Sequence, residues 1–290
     1  MSGLPIKKIY VDSKHKVSGS NSDFRCQLKD SYLMPENAVF KIVDVAIPHS
    51  WTTIMTGINS KLYLYLSDNS PIGSRPQEGY ILNLDSRNYT GSELATHLQT
   101  QLNHAVASSV ITNKTFTVAY NPYNQTISIL IGINTTFKLL TENDIKSKLD
   151  GTWTSLSNTP TDYDANDPQD VNTDMLKLNT GNCPLYDSNY PFVSNFINLQ
   201  PIRNLYLSSP DLGNYNTVNL QGNRSIIKKI PVTAPWNSMI FDNVAYDDYL
   251  DCSRQTLQTL NFTITDGNNH IVPLNGCYIS FSIIFDVISL

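Results

Sequence analysis

The chain reads as a mainly β protein, a jelly roll or sandwich interrupted by a small inserted α+β subdomain. Three observations predict this. Asn, Thr, Ser and Tyr are abundant while charged residues are only 16% of the 290, a mix that suits strands joined by polar turns better than Ala-, Glu- and Lys-rich bundles. Short runs of alternating character recur toward both ends of the chain, bounded by Gly, Pro, Asn and Ser. Between them the period changes to that of a helix.

The first strands predicted are Ile6–Val11 and Phe24–Leu28, separated by the polar turn Ser18-Gly-Ser-Asn-Ser22. Ala38–Pro48 alternates, with Ala38, Phe40, Ile42, Asp44 and Ala46 on one face and Val39, Lys41, Val43, Val45 and Ile47 on the other. Pro48 ends it because proline cannot donate to a ladder. Lys61–Leu66 and Tyr80–Leu84 follow as strands across a Pro/Gly-rich loop. Thr90-Gly-Ser-Glu93 then fits a capping box, in which hydroxyl and carboxylate reciprocally satisfy the first free amides of a helix. Leu94, Leu98, Leu102 and Ala105/Val106 continue at helical spacing to about Ser108.

Thr115–Tyr120 and Thr126–Ile131 flank Asn-Pro-Tyr-Asn-Gln and read as a hairpin; Phe137–Leu140 leads to a short helix over Glu142–Leu149. Residues 150–190, rich in Asp, Asn, Thr and Pro without periodicity, read as a long exposed loop or a poorly ordered excursion. Strand signals resume at Asn204–Leu207, Ser225–Val232, Ser238–Phe241, Leu260–Thr265 and Ile279–Ile288, the last with Ile279, Phe281, Ile283, Phe285 and Val287 on one face. The expected organisation is a discontinuous jelly-roll domain, 1–88 plus 196–290, and an inserted helix-hairpin subdomain with an acidic loop, 89–195. Leu94, Leu98, Leu102, Phe116, Val118, Ile127 and Ile129 supply that subdomain with its own small core.

Formal net charge is −5, which argues against a surface coated by nucleic acid. The charge is uneven. Residues 1–30 carry Lys7, Lys8, Lys14, Lys16, Arg25 and Lys29 against Asp12, Asp23 and Asp30, a net of +3, whereas 142–190 carry nine acids against three lysines, a net of −6. The four cysteines, Cys26, Cys183, Cys252 and Cys277, form no CxxC pair, so they read as free thiols rather than a disulfide framework or zinc site. No apolar run reaches the ~18 residues that span a bilayer, and no secretory signal is expected. The six Asn-x-Ser/Thr triplets, at Asn88, Asn113, Asn124, Asn134, Asn223 and Asn261, therefore read as products of an Asn/Thr-rich composition.

Catalytic chemistry leaves no positive sign. There is no Gly-rich phosphate loop, no Gly-x-Ser-x-Gly elbow and no His-Glu-x-x-His. His15, His49, His97, His104 and His270 are dispersed; His97 and His104, seven apart, read as part of a solvated helix face rather than a metal pair. Asp162-Tyr-Asp164-Ala-Asn166-Asp167 resembles the first half of an EF-hand loop, but Asp167 stands where Gly is required and Thr173 where the bidentate Glu belongs. Trp51, Trp153 and Trp236 suggest either a sugar platform or, better, core and interface anchors. The expectation is no catalytic residue, no metal ligand and no cofactor.

Four stretches, taken in order, resemble a known family. They are Ile9-Tyr-Val-Asp-Ser-Lys with Ser22-Asp-Phe-Arg-Cys-Gln-Leu28; Lys41-Ile-Val-Asp-Val-Ala-Ile-Pro-His-Ser-Trp51; Asn88-Tyr-Thr-Gly-Ser-Glu-Leu-Ala-Thr-His-Leu98; and Leu257-Gln-Thr-Leu-Asn-Phe-Thr-Ile-Thr-Asp-Gly267 with Ile279-Ser-Phe-Ser-Ile-Ile-Phe285. This order resembles the penton, or minor capsid, proteins of virophages and Polinton/Maverick-like viruses, those of Mavirus type above all. The resemblance implies a single jelly-roll β-sandwich with an insertion and a homopentamer closing the five-fold vertices of an icosahedral virion. It also implies a double jelly-roll major capsid protein as partner, and synthesis in the host cytoplasm or a virus factory. Packaged DNA near the basic N-terminus follows from charge. Two other classes remain open: a virion-surface glycan- or receptor-binding β-sandwich, and a Ca²⁺-dependent sandwich hydrolase on the Asp162–Asp174 cluster, for which no motif supplies a general base.

Overall fold

The computed structural model describes residues 7–68, 77–107, 109, 111, 114–141, 144, 175–176, 185–213, 217, 222, 225–242 and 248–287. The first strands are β1 (Lys7–Asp12), β2 (Ser18–Gly19), β3 (Asp23–Leu33), β4 (Ala38–Pro48), β5 (Lys61–Asp68) and β6 (Gln77–Asn83). Helix α1 (Gly91–Ala105) precedes β7 (Phe116–Asn121), β8 (Thr126–Ile131), β9 (Thr135–Leu140) and β10 (Phe192–Val193). The remainder holds β11 (Asn204–Ser208), β12 (Ile226–Pro231), β13 (Met239–Asp242), β14 (Leu250–Asp251), β15 (Thr256–Thr265) and β16 (Ser280–Val287). These fall into two compact units, Met1–Trp51 with Ile202–Leu290, and Thr52–Pro201.

The first unit contains two antiparallel sheets, β1-β16-β4-β13 with β14 also on β4, and β12-β11-β15-β3-β2. Set aside the two-residue strands and the pairing is nested: β1 with β16, β3 with β15, β4 with β13, β11 with β12. First strand pairs with last, second with seventh, and so inward, which is the connection of a jelly roll. The mainly β fold class expected from the sequence is the one observed. Apolar residues of both sheets form the core: Phe262 of β15 meets Phe281 of β16 edge-on with centroids 5.0 Å apart, and Phe40 pairs with Phe285 across β4 and β16 at 6.1 Å.

β4 has the bounds its sequence predicts, but its alternation slips. Ser280 of β16 opposes Ala46 while Ser282 opposes Val43, so β4 carries one extra residue there, and Asp44 adopts φ +53°. A bulge of this kind shifts every later side chain to the other face. The best-buried series therefore runs Ala38, Phe40, Ile42 and then Val45, Ile47, instead of continuing through Asp44 and Ala46. Asp44 is put out to solvent, where its carboxylate takes Lys8 Nζ at 2.9 Å.

The second unit holds sheets β6-β5-β9 and β10-β8-β7 with α1. The capping box is present. Thr90 N–H donates to Glu93 Oε2 at 2.8 Å and Glu93 N–H donates to Thr90 Oγ1 at 3.3 Å. Gly91 opens the helix against the Tyr120 ring, which a Cβ at this position would overlap. Leu94, Leu98, Leu102, Phe116, Ile127 and Ile129 are buried together with Val118 packed against them, as their spacing predicts. The cluster is larger than expected, because Leu62, Leu64 and Leu66 of β5 and Leu82 of β6 belong to it.

This moves the boundaries. Lys61–Leu66 and Tyr80–Leu84, assigned from sequence to the domain 1–88, stand in the second unit because β5 pairs with β9 along Tyr63↔Leu140 to Asp68↔Thr135. The chain leaves the jelly roll after Trp51 and re-enters at Ile202, not at 88/89 and 195/196. Of the short helix at Glu142–Leu149 only Asp144 is described; it is helical, and Thr141 and Asp144 exchange backbone and side-chain bonds at 3.1 Å in both directions. The rest of that helix and most of 150–190 lie outside the described residues.

Candidate functional site

Two features of the jelly-roll unit are built for contact. One is the edge strand β13. His49 N–H donates to the Ser238 carbonyl at 2.9 Å just before the ladder with β4, so by alternation Ile240 and Asp242 face β4 and the main-chain groups of Met239 and Phe241 point outward. The side chains of Met239 and Phe241 are exposed as well, Phe241 at 67%, and Trp236 in the preceding turn is 53% exposed. Three large apolar side chains within six residues on a sheet edge form a sticky row.

Lys228 of β12 secures this row from beneath. Its ammonium is almost fully covered and pairs with Asp248 at 2.7 Å and Asp242 of β13 at 3.4 Å. Burial opposes its charge, but the two carboxylates outweigh burial and hold its pKa above the ordinary lysine value. The pair ties an edge strand of one sheet to an edge strand of the other. Of the outward-facing backbone positions of β12, Lys229 and Pro231, the second has no N–H to offer.

The second feature is a cleft of about 590 Å³ beside β1, with a floor of Ile9, Val11, Leu28, Leu260 and Phe281 and a rim that includes Asp12, His15, Gln27 and Asp44. Cys26 also lines it, but burial first and the Asp12 carboxylate second push its thiol pKa up, so it is a poor nucleophile despite a nearby histidine. Burial and Asp251 push Cys252 up to about 12. Both read as inert structural thiols, and the described cysteines Cys26, Cys252 and Cys277 are free.

The remaining sequence candidates scatter. His49 is buried and stacked on Trp51 with centroids 4.2 Å apart, its Nδ1 donating to the Ala234 carbonyl at 2.8 Å. Trp51 is a core residue at 1% exposure, Trp236 is on the surface, and Trp153 lies outside the described residues, as do Cys183 and the acidic run Asp162–Asp167. His270 is tied to Asp266 within one turn at 3.2 Å. Among the described residues no three His, Cys, Asp or Glu side chains come together as metal ligands, and no helix is long and apolar enough to cross a membrane.

His97 departs from its expected solvated setting. It is buried against Tyr89, centroids 5.3 Å apart, and its Nε2 accepts the Asp85 N–H at 3.2 Å, while His104 is exposed. Burial is the main cause that depresses its pKa; the Asp85 carboxylate opposes and Arg87 reinforces the shift. Seven-residue spacing places both histidines near one helix face, but only the loop before the helix decides which of them is covered.

The sequence shows β13 as a strand without showing it as an edge. The available signal is the unbroken apolar run Met239-Ile-Phe241, which gives a strand apolar on both faces. No protein-family model matches the chain, and no curated protein matches it. Among solved structures it is similar to the crystal structure of selenomethionine-labelled mavirus penton protein, with a TM-score of 0.48 and 13% identity, over 97% of this chain and 100% of that one.

Proposed function

We propose that this chain is a structural capsid protein without catalytic activity, five copies of which close a ring at the five-fold vertices of an icosahedral virion. The observation that carries the reading is the apolar row Trp236, Met239 and Phe241 on β13, an edge strand of a jelly-roll sheet among the described residues. A ring needs a heterologous contact, in which one flank of each copy meets a different surface of its neighbour until rotation closes the set. Large exposed apolar side chains on one flank suit that contact, and the ordered resemblance of four sequence stretches to penton proteins supports the same assembly.

The other partner of this reading is a double jelly-roll major capsid protein surrounding each vertex. Charge biases the orientation. The N-terminal thirty residues, net +3, gain by facing packaged DNA, and the 142–190 stretch, net −6, gains by facing outward. Screening beyond ~8–10 Å leaves packing to fix the orientation. The glycan-platform alternative has less support, since Trp51 is core rather than surface.

A reconstruction of purified particles tests the proposal, together with particles carrying Trp236→Ser and Phe241→Ser. The expected result is density for this protein at the five-fold vertices and empty vertices with the double variant. Density away from the vertices, or residues 142–190 on the genome side, overturns it.

A further inference from the structure

We infer that the cleft beside β1 is a docking site for an extended segment of another polypeptide, which adds to β1 as a new strand. The inference stands apart from the vertex assembly and needs none of its assumptions.

Among the described residues β1 is the outer strand of its sheet and pairs with β16 alone. Ser13 N–H donates to the Ile279 carbonyl at 2.9 Å. By the alternation of an antiparallel ladder, Val11 and Ile9 also bond β16, and the N–H and C=O groups of Lys8, Tyr10 and Asp12 point the other way. No described backbone group pairs with them. This free edge spans four residue steps, roughly 13–14 Å, enough for a strand of four or five residues.

Sheet edges are normally blunted by a covering loop, a proline or an inward charge. β12 shows such protection in Pro231. β1 has no proline; its charges are Lys7 and Lys8 at its start, Lys8 being already paired with Asp44, and its Tyr10 is 76% exposed. Behind the edge lies the cleft, about 590 Å³, within the ~300–1,000 Å³ of ligand clefts. The fit is specific to a strand. A guest continuing the sheet puts alternate side chains on the inner side, with those of Ile9 and Val11, onto the apolar floor of Leu28, Leu260 and Phe281. Its other side chains share the outer face with Tyr10 and Asp12.

Charge states which guest. The lining carries two carboxylates, Asp12 and Asp44, and neither Lys nor Arg. Asp44 is already met by Lys8 at 2.9 Å, whereas among the described residues Asp12 accepts the Lys14 backbone N–H at 2.8 Å and no side-chain cation. The occupant is therefore a segment with apolar residues at alternate positions and a lysine or arginine on the opposite face, set against Asp12. Main-chain bonds supply affinity, and the apolar pockets and the carboxylate supply selection.

The test uses the full chain and a library of capped hexapeptides with Val or Ile at alternate positions and Lys, Gln or Glu between them. Amide exchange of Lys8, Tyr10 and Asp12 is followed by NMR. Lys-bearing peptides are expected to slow exchange at these amides, to bind better than Glu-bearing ones, and to lose that preference in Asp12→Asn. Tyr10→Pro removes one outward donor without touching the β16 ladder and is expected to weaken binding about tenfold. Should that variant fail to fold, peptides N-methylated at the amides that would face β1 give the same reading on the wild-type chain. No protection with any library member, or binding indifferent to both Tyr10→Pro and N-methylation, overturns the site. Concentration-dependent protection of the same amides without peptide assigns the cleft to a second copy and overturns the choice of partner.

Discussion

Lys138 Nζ lies 2.7 Å from Asp144 Oδ1, with both side chains less than a tenth exposed. The other carboxylate oxygen accepts from the Thr141 backbone N–H and hydroxyl at 3.1 and 2.9 Å. A buried pair of this kind gains little over an apolar replacement, but breaking it strands a charge. Lys138→Met is expected to destabilise the protein by about 3–5 kcal/mol in urea unfolding. The double variant Lys138→Met with Asp144→Leu should recover part of that loss, and a cycle through both singles measures the coupling. Equal costs for single and double variants would show that Thr141, not Lys138, satisfies the carboxylate.

Gly91 is where helix α1 meets Tyr120. Alanine is the better helix former, so on propensity alone Gly91→Ala should stabilise. The overlap with the Tyr120 ring reverses the sign, and the expected loss is roughly 1–3 kcal/mol. Adding Tyr120→Ala should make Gly91→Ala neutral or favourable, which separates the clash from any change at the helix start.

His97 makes stability depend on pH. Its folded pKa lies below the ordinary histidine value, chiefly through burial, so the unfolded chain binds the proton more readily. The stabilisation is complete above the unfolded pKa of ~6.5 and is lost as pH falls through that value toward the folded pKa. Protonating Nε2 also removes the acceptor for the Asp85 N–H. Unfolding between pH 7 and pH 5 should thus show a decline that His97→Gln reduces, and the His97 ring protons should titrate below ~6.5 by NMR. A titration at or above that value would contradict its buried neutral state.

The two units divide the chain cleanly enough for a deletion test. Every ladder of the jelly roll lies within 1–51 and 202–290. Replacing residues 52–201 by a short Gly/Ser linker is expected to leave its near-UV dichroism and cooperative unfolding intact, since loop length changes closure entropy slowly. The same replacement over 89–195 should fail, because it leaves β5 without β9 and exposes Leu62, Leu64 and Leu66. A molten product from the first replacement would show that the jelly roll borrows its core from the insertion.

These boundaries show what the sequence could and could not disclose. The limits of β4, the capping box at Thr90 and Glu93, and the apolar spacing of α1 were legible because each rests on residues within one or two turns of one another. The bulge at Asp44 was not legible, because the register of β16 against β4 sets it and the local alternation of β4 does not. The placement of β5 was not either. Lys61–Leu66 alternates as a strand should, but its partner Thr135–Leu140 is some seventy residues away, and no local pattern names a partner at that distance. For the same reason the exposed row on β13 and the open edge of β1 emerge only once the strand order is known. Each is an ordinary apolar or mixed strand until its missing neighbour is seen.

The nested pairing of the jelly roll has a consequence for how the protein is made. β1 precedes the insertion, yet it pairs with β16, which follows it, and β3 must likewise wait for β15. The segment between Thr52 and Pro201 has no such dependence, since its sheets and helix close among themselves. The insertion is therefore expected to fold while the chain is still growing, and the jelly roll only once β16 has been made. Until then β1 and β4 wait without the strands they pair with, and β3 has only the two-residue β2, because the insertion separates them in sequence from their other partners.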